Sequence, residues 1–336
     1  MIDLDLFAGA NSARGFYSRY RYLALGAYRR VYILKGCPGS GKSTIIKEVA
    51  KGLSLPLEKY HCTAAPDSLD GLVIPGLGVS LLDGTPPHTV WPLAKSDQRL
   101  VDLASSLDEG ALAPRRQQVQ DLEREIAGAY KAAYAWLARA GQGAKRARIN
   151  QDRGESLALV QACLSSIREK LPDFAFGLQR NFFATAITGG GIVNFLPRLA
   201  AKTRIALIGE DKAFKERITT AVARHLARRK IPALFLYCSL EPQRLEHIYI
   251  PGSFALISSH FPHPLPQADE YWGLEQSGSS PLEGETGDFL TRGMAELARA
   301  ARLHAELEGI YNPCLDFTRI APWARRIVGE IREDLL

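Results

Sequence analysis

Nine consecutive residues, Gly36-Cys37-Pro38-Gly39-Ser40-Gly41-Lys42-Ser43-Thr44, fit the pattern G-x-x-x-x-G-K-[ST]. Glycines in such a run let successive backbone N–H groups turn inward around phosphate oxygens, and the start of a following helix adds partial positive charge. In this chemistry Lys42 reaches the β- and γ-phosphates of a nucleoside triphosphate, and the Ser43 hydroxyl holds Mg²⁺. A metal-bound triphosphate also calls for a second acid at the end of a neighbouring strand, and Val79-Ser80-Leu81-Leu82-Asp83 is an apolar run that ends in one. Asp83 is thus the second candidate for metal, with a plain Asp-Gly turn as the alternative. Asp67 and Asp70 fall on the loop after the next strand, where ligands of open α/β sheets gather. An acid there could hold water, metal or a substrate hydroxyl, or Asp67 could simply cap a short helix.

These side chains need a strand, a turn and a helix in that order. Val31 to Lys35 is a β-branched run, Ser43 to Leu53 carries Ile45, Ile46 and Val49 as the apolar face of a helix, and Leu57 to Cys62 reads as the next strand. The chain then repeats itself. Leu6 through Gly15 returns as Phe182 through Gly191, and Tyr60 through Pro75 returns as Leu236 through Pro251, both 176 residues on; Val31 to Gly36 matches Arg204 to Gly209 at an offset of 173. A period this long signals a duplicated domain and not a solenoid. The second copy offers a strand at Ile205 to Ile208, a helix from Ala213 to Arg229 and a strand at Ala233 to Cys238. Its loop, Gly209-Glu210-Asp211-Lys212-Ala213-Phe214-Lys215-Glu216-Arg217, keeps the lysine and little else. Phe214 stands where a glycine admits phosphate, Glu210 and Asp211 put negative charge in the cradle, Glu216 replaces the metal-binding hydroxyl, and Ser259 falls at the Asp83 position. One triphosphate per chain, in the first copy, is the expectation.

Between the copies, Val119, Leu122, Ile126, Tyr130, Ala133 and Leu137 recur at three- and four-residue spacing, as do Val160, Cys163, Leu164, Ile167 and Leu171, which predicts an antiparallel helical hairpin. Eight bases against three acids lie between Arg115 and Arg148, so this segment carries most of the net charge of +6. Arg115 and Arg116 at its base, or Lys145, Arg146 and Arg148 near its tip, could fold over a bound nucleotide, and a lid arginine would meet charge that develops in transfer. Further helices carry Leu290, Met294 and Leu297, then Ile320, Ala324, Ile327 and Ile331, after a Pro/Gly/Ser-rich stretch from Pro262 to Gly287.

The expected architecture is α/β: two P-loop NTPase-like halves with parallel sheets of three or four strands, each followed by helices. Residues 1–97 form the first half, 98–172 the helical hairpin, 173–264 the degenerate half and 265–336 a linker with C-terminal helices, the halves packing as one unit. With 336 residues, 46% of them hydrophobic, the chain can build a core in each half. No apolar run approaches a membrane span, and the acidic start Met1-Ile2-Asp3-Leu4-Asp5 disfavours export, so a cytoplasmic protein without membrane partners is expected. Five scattered cysteines without a Cys-x-x-Cys pair argue against disulfides and structural metal. Cys62 and Cys238 share a repeat position and read as small buried residues; His61 and His88 read as structural, and Phe16 and Tyr17 as core aromatics, with stacking on adenine the alternative.

Over nearly its full length the chain resembles an uncharacterised bacterial tandem P-loop NTPase family, generally labelled ATPase or nucleotide-kinase-like. The resemblance rests on Leu6-Phe7 with Gly15-Phe16-Tyr17, on Lys35 to Ser43, on Pro66-Asp67-Ser68-Leu69-Asp70-Gly71-Leu72-Val73-Ile74-Pro75, and on Leu82-Asp83-Gly84-Thr85 with Pro87-His88. Phe183 to Thr188 and Leu245-Glu246-His247 match in the second copy, whereas Glu210 to Glu216 depart from the intact second loop of many members. The resemblance implies the P-loop NTPase fold and ATP binding, and names no acceptor. Three functions are expected to compete: an ATP- and Mg²⁺-dependent hydrolase or phosphotransferase, a nucleotide-gated binding module, and a nucleic-acid-dependent ATPase that uses the basic segment with Tyr130, Tyr134 and Trp136. Nucleic acid is the less favoured partner, because basic helical faces are usually solvated.

Overall fold

In the computed structural model, which describes residues 3–24, 28–86, 97–150, 157–172, 177–209, 212–258, 267–273 and 284–333, the first copy runs β1 (Leu4–Phe7), β2 (Gly9–Ser12), β3 (Gly15–Ser18), α1 (Arg21–Ala24), β4 (Arg30–Lys35), α2 (Lys42–Lys51), β5 (Glu58–His61), β6 (Leu69–Ile74), β7 (Val79–Asp83) and β8 (Asp97–Asp102). Helices α3 (Glu109–Leu112), α4 (Arg116–Asn150) and α5 (Leu157–Lys170) follow. The second copy runs β9 (Gln179–Phe182), β10 (Thr185–Thr188), β11 (Gly191–Asn194), β12 (Thr203–Leu207), α6 (Lys212–Arg229), β13 (Ala233–Tyr237), β14 (Leu245–Ile250), β15 (Phe254–Ser258) and β16 (Glu270–Trp272). It closes with α7 (Glu285–Tyr311), α8 (Phe317–Ile320) and α9 (Pro322–Glu333).

One sheet has the order β1-β5-β6-β7-β4-β8 and the other β9-β13-β14-β15-β12-β16, the same path twice. Both sheets are mixed, which corrects the expectation of parallel sheets with three or four strands. β6 and β14 run antiparallel to both neighbours. Connection length is the cause: residues 62–68 and 75–78 alone join β5 to β6 and β6 to β7, and a parallel crossover needs a dozen or more. The sixth strands, β8 and β16, are edge strands that lie almost wholly beyond the boundaries expected at 97 and 264.

Alternation along each strand sends apolar side chains both ways, as it must in a sheet covered on two faces. Val31, Ile33, Val73 and Leu82 face Leu234, Leu236, Ala255 and Ile257 of the other sheet in one shared core. Tyr32, Leu34, Leu72 and Leu81 turn outward onto Ile45, Ile46 and Val49 of α2 and onto Ala324, Ile327 and Ile331 of α9. Phe235, Ile248 and Leu256 turn outward onto α6 and α5 through Phe214, Ile218, Cys163 and Ile167. The layers are therefore helices, sheet, sheet, helices, and the two copies do pack as one unit. Repeat-equivalent residues meet where the copies join: Phe7 and Phe183 exchange both backbone bonds, N–H to O at 2.8 and 3.0 Å, and the Asn11 amide donates to the Ile187 carbonyl at 2.9 Å. Arg19 lies 3.7 Å over the Tyr237 ring, and its counterpart Phe195 packs 4.7 Å from the equivalent ring, His61.

The helical hairpin does not form as expected. α4 pairs antiparallel with α7, its N-terminal Val119 and Leu122 meeting Leu307 and Ile310, and its central Ala133, Leu137 and Ala140 meeting Leu290 and Leu297. α5 packs on α6 instead. The heptad-like spacing identified both helices correctly, yet spacing shows that a face is apolar and not what covers it. A second repeat escaped the sequence reading: Leu107-Asp108 through Ala113-Pro114 returns as Leu315-Asp316 through Ala321-Pro322. In both, the Asp caps a short helix, α3 or α8. The two motifs pair reciprocally, Asp108 N–H to Cys314 O at 2.8 Å and Asp316 N–H to Ser106 O at 2.9 Å. Among the described residues no helix is long and apolar enough to cross a membrane.

Candidate functional site

The loop from Gly36 to Gly41 leaves the end of β4 and enters α2, in the strand-turn-helix setting the motif requires. Gly39 and Gly41 both take φ +76°, a backbone region that side chains strain, so glycine is needed at each. Gly41 is also the N-cap of α2, and it supplies no side-chain cap. The first amides of the helix thus keep the orphan donors that favour an anion.

Lys42 folds back into this loop. Its ammonium donates to the carbonyls of Gly36 and Cys37, each at 3.0 Å, and lies 3.9 Å from the Asp83 carboxylate. Asp83 reaches it because β7 is the parallel neighbour of β4, with Asp83 opposite Leu34. One Asp83 oxygen accepts from the Thr85 amide and hydroxyl at 2.8 and 2.5 Å, which fixes the carboxylate while the other oxygen faces the lysine. Asp83 thus ends β7 rather than sitting in a free Asp-Gly turn. The Ser43 hydroxyl accepts from the Leu69 amide at 2.9 Å, a long-range link to β6 that local sequence patterns do not carry. Cys37, Pro38 and Gly39 are half-buried, Ser40 is buried and Thr44 is exposed. Burial pushes the Cys37 thiol up, against the pull of Lys42.

Among the described residues no cluster of three His, Cys, Asp or Glu side chains could hold a metal by protein ligands alone. Mg²⁺ needs no such cage, since it keeps waters and phosphate oxygens around one or two protein oxygens, and Ser43 and Asp83 suit that role. The loop's outer side is packed by the C-terminal segment: Asn312 fills the space beside the Gly39 α-carbon, and Ile320 lies next to Gly41.

Arg115 and Arg116 are exposed at the start of α4. Arg116 pairs with Glu109 at 2.8 Å, and Glu109 is close enough for its charge to act on Cys37. Tyr130 and Tyr134 stack on each other within the α4–α7 packing, and Trp136 stacks on Phe289 with Arg139 and Arg292 over the rings. Asp67 is exposed in a turn with no helix to cap, whereas Asp70 is buried in β6. His61 bonds Asp5 and the Pro66 carbonyl, a structural role. Tyr17 meets Phe183 edge-on and Phe16 packs into the shared core. His88, Glu210, Asp211 and Ser259, and the side chains of Lys145, Arg146 and Arg148, lie outside the described residues.

The second loop keeps one feature of the first. Lys215 donates to the Gly209 carbonyl at 2.5 Å, the same six-residue back-bond that Lys42 makes to Gly36. Here the lysine is 2% exposed and Phe214 is fully buried in the core. Strand register puts Ser258 opposite Leu207, so Ser258, not Ser259, takes the Asp83 position. A cleft lined by Lys51, Leu53, Leu55 and Pro56 lies at the opposite end of α2 and is remote from this chemistry. Compared with known protein families, with curated proteins and with solved structures, the chain matches none.

Proposed function

We propose that the first copy binds one nucleoside triphosphate with Mg²⁺ and turns it over, and that the second copy is its structural partner. The observation that carries this reading is the Lys42 ammonium, held at the mouth of an uncapped helix N-terminus 3.9 Å from Asp83. A cation, a helix end and an acid on the adjacent strand are the parts that phosphoryl transfer needs. Lys42 would neutralise the transferred phosphoryl charge, the loop amides would hold the phosphates, and Ser43 with Asp83 would hold the metal. The metal would supply neutralisation of the phosphate charge.

A nucleotide-gated module is the second reading, favoured by one contact: Asn312 and Ile320 pack on the loop, so its occupancy would be felt by α7 and α8. The nucleic-acid reading draws less support, because Tyr130, Tyr134 and Trp136 are engaged in helix packing. Thermal unfolding with and without ATP and Mg²⁺ tests binding. At 1,000 times Kd, a ligand specific to the folded state adds about 4 kcal/mol, which raises Tm by several degrees. No shift with any nucleoside triphosphate contradicts the proposal, and binding without turnover selects the gated module.

A further inference from the structure

Asp70 was grouped with Asp67 by the sequence, and the structure separates them. In the β5–β6 ladder Tyr60 pairs with Gly71 and His61 with Leu69, so Asp70 is the extra residue of a bulge. Bulges re-aim a side chain, and they collect beside active sites. This one is tied to the motif and to β7. The preceding residue, Leu69, donates its amide to Ser43, and the following residue, Gly71, pairs with Leu82 of the antiparallel β7, which brings Asp70 at the start of β6 beside Asp83 at the end of β7. The Tyr20 hydroxyl donates to Asp70 at 2.7 Å.

The degenerate copy supplies a control. Its ladder has the same bulge, with Glu246 as the extra residue. Glu246 pairs with Arg244 at 2.8 Å, Leu196 stands where Tyr20 does, and Ser258 and Glu216 replace Asp83 and Ser43. The Tyr-held acid thus occurs with the intact loop, and an arginine-held acid with the decayed one. Asp70 is 6% and Asp83 9% exposed, so both carboxylates are largely shielded from bulk solvent.

Resting on the proposed triphosphate site, we propose that Asp70 is the base for hydrolysis, with Tyr20 as a positioning residue. The water oxygen bonds to the γ-phosphorus as its proton passes to the Asp70 carboxylate. The bond from that phosphorus to the β,γ-bridging oxygen breaks, and its electron pair leaves on the nucleoside diphosphate. The proton then passes to solvent with the released phosphate.

The test uses the full chain, with ATP and Mg²⁺, and reads affinity by calorimetry and phosphate release separately. Asp70→Asn keeps an oxygen for the Tyr20 hydroxyl, so affinity stays within about threefold while release falls by about 10² or more. Asp70→Glu recovers part of the rate. Tyr20→Phe, which keeps the ring, retains affinity and lowers kcat by about tenfold, and it answers the question if Asp70→Asn does not fold. Release at the parent rate in Asp70→Asn overturns the assignment, as does a parent that binds ATP and releases no phosphate. A parent without ATP affinity overturns the proposed site and this assignment with it.

Discussion

Lys42→Ala is expected to lower ATP affinity by about 100-fold or more while Tm stays within about 2 °C of the parent. Charge-assisted bonds to phosphate contribute about 1.5–3 kcal/mol each, and 1.4 kcal/mol is a factor of ten. Stability is spared because the ammonium is bonded to carbonyls of a half-buried loop, which water can satisfy in its absence. Lys215→Ala is the mirror experiment. That lysine is sealed in the core, so its loss leaves a cavity and an unbonded Gly209 carbonyl, which costs about 2 kcal/mol or more and leaves ATP affinity unchanged. Calorimetric titration and denaturant unfolding of the two variants check both halves of this expectation. Equal stability losses, or unchanged affinity in folded Lys42→Ala, would show that the two loops have not diverged in role.

The largest stability effect is expected at the joint between the copies. Arg180 of β9 makes two 2.6 Å bonds to the Glu58 carboxylate of β5, and Glu58, 4% exposed, also accepts from the Tyr60 hydroxyl at 2.9 Å. Arg180→Ala strands that carboxylate in the shared core without its counter-charge, a loss of about 3–5 kcal/mol. Removing the charge from both partners, with Glu58→Gln and Arg180→Met together, restores much of that, since the penalty belongs to the stranded ion more than to the missing pair. Denaturant unfolding of the single and double variants measures it. A single-variant loss under about 1 kcal/mol would mean that Glu58 finds water or another donor at the joint.

The βαβ core around Gly36 to Thr44 was legible in the sequence because local rules control it: β-branched runs, a glycine turn and a helical apolar face. Asp83 was legible for the same reason, as the acid ending an apolar run. What local rules do not carry was missed. β6 lacks a clean alternation because it is buried on both faces, and its bulge breaks the register at Asp70. β8 is a mostly polar edge strand and β16 an edge strand of only three residues, so neither carries a run of alternating apolar residues. The partner of α4 lies more than a hundred residues away in α7, and the packing of Asn312 on Gly39 crosses most of the chain. Amphipathic spacing states that these faces are covered, and only the tertiary structure states by what.

The central claim, one triphosphate site in a chain whose fold is written twice, is tested most directly by calorimetric titration of the parent protein with ATP in the presence of Mg²⁺. The Lys42 loop keeps an uncapped helix end and an acid on the next strand, whereas Lys215 is buried beside a core Phe214 and Ser258 stands at the position of Asp83. The account predicts a stoichiometry near one per chain, abolished by Lys42→Ala and unaffected by Lys215→Ala. Two equivalent sites, or none, would contradict it.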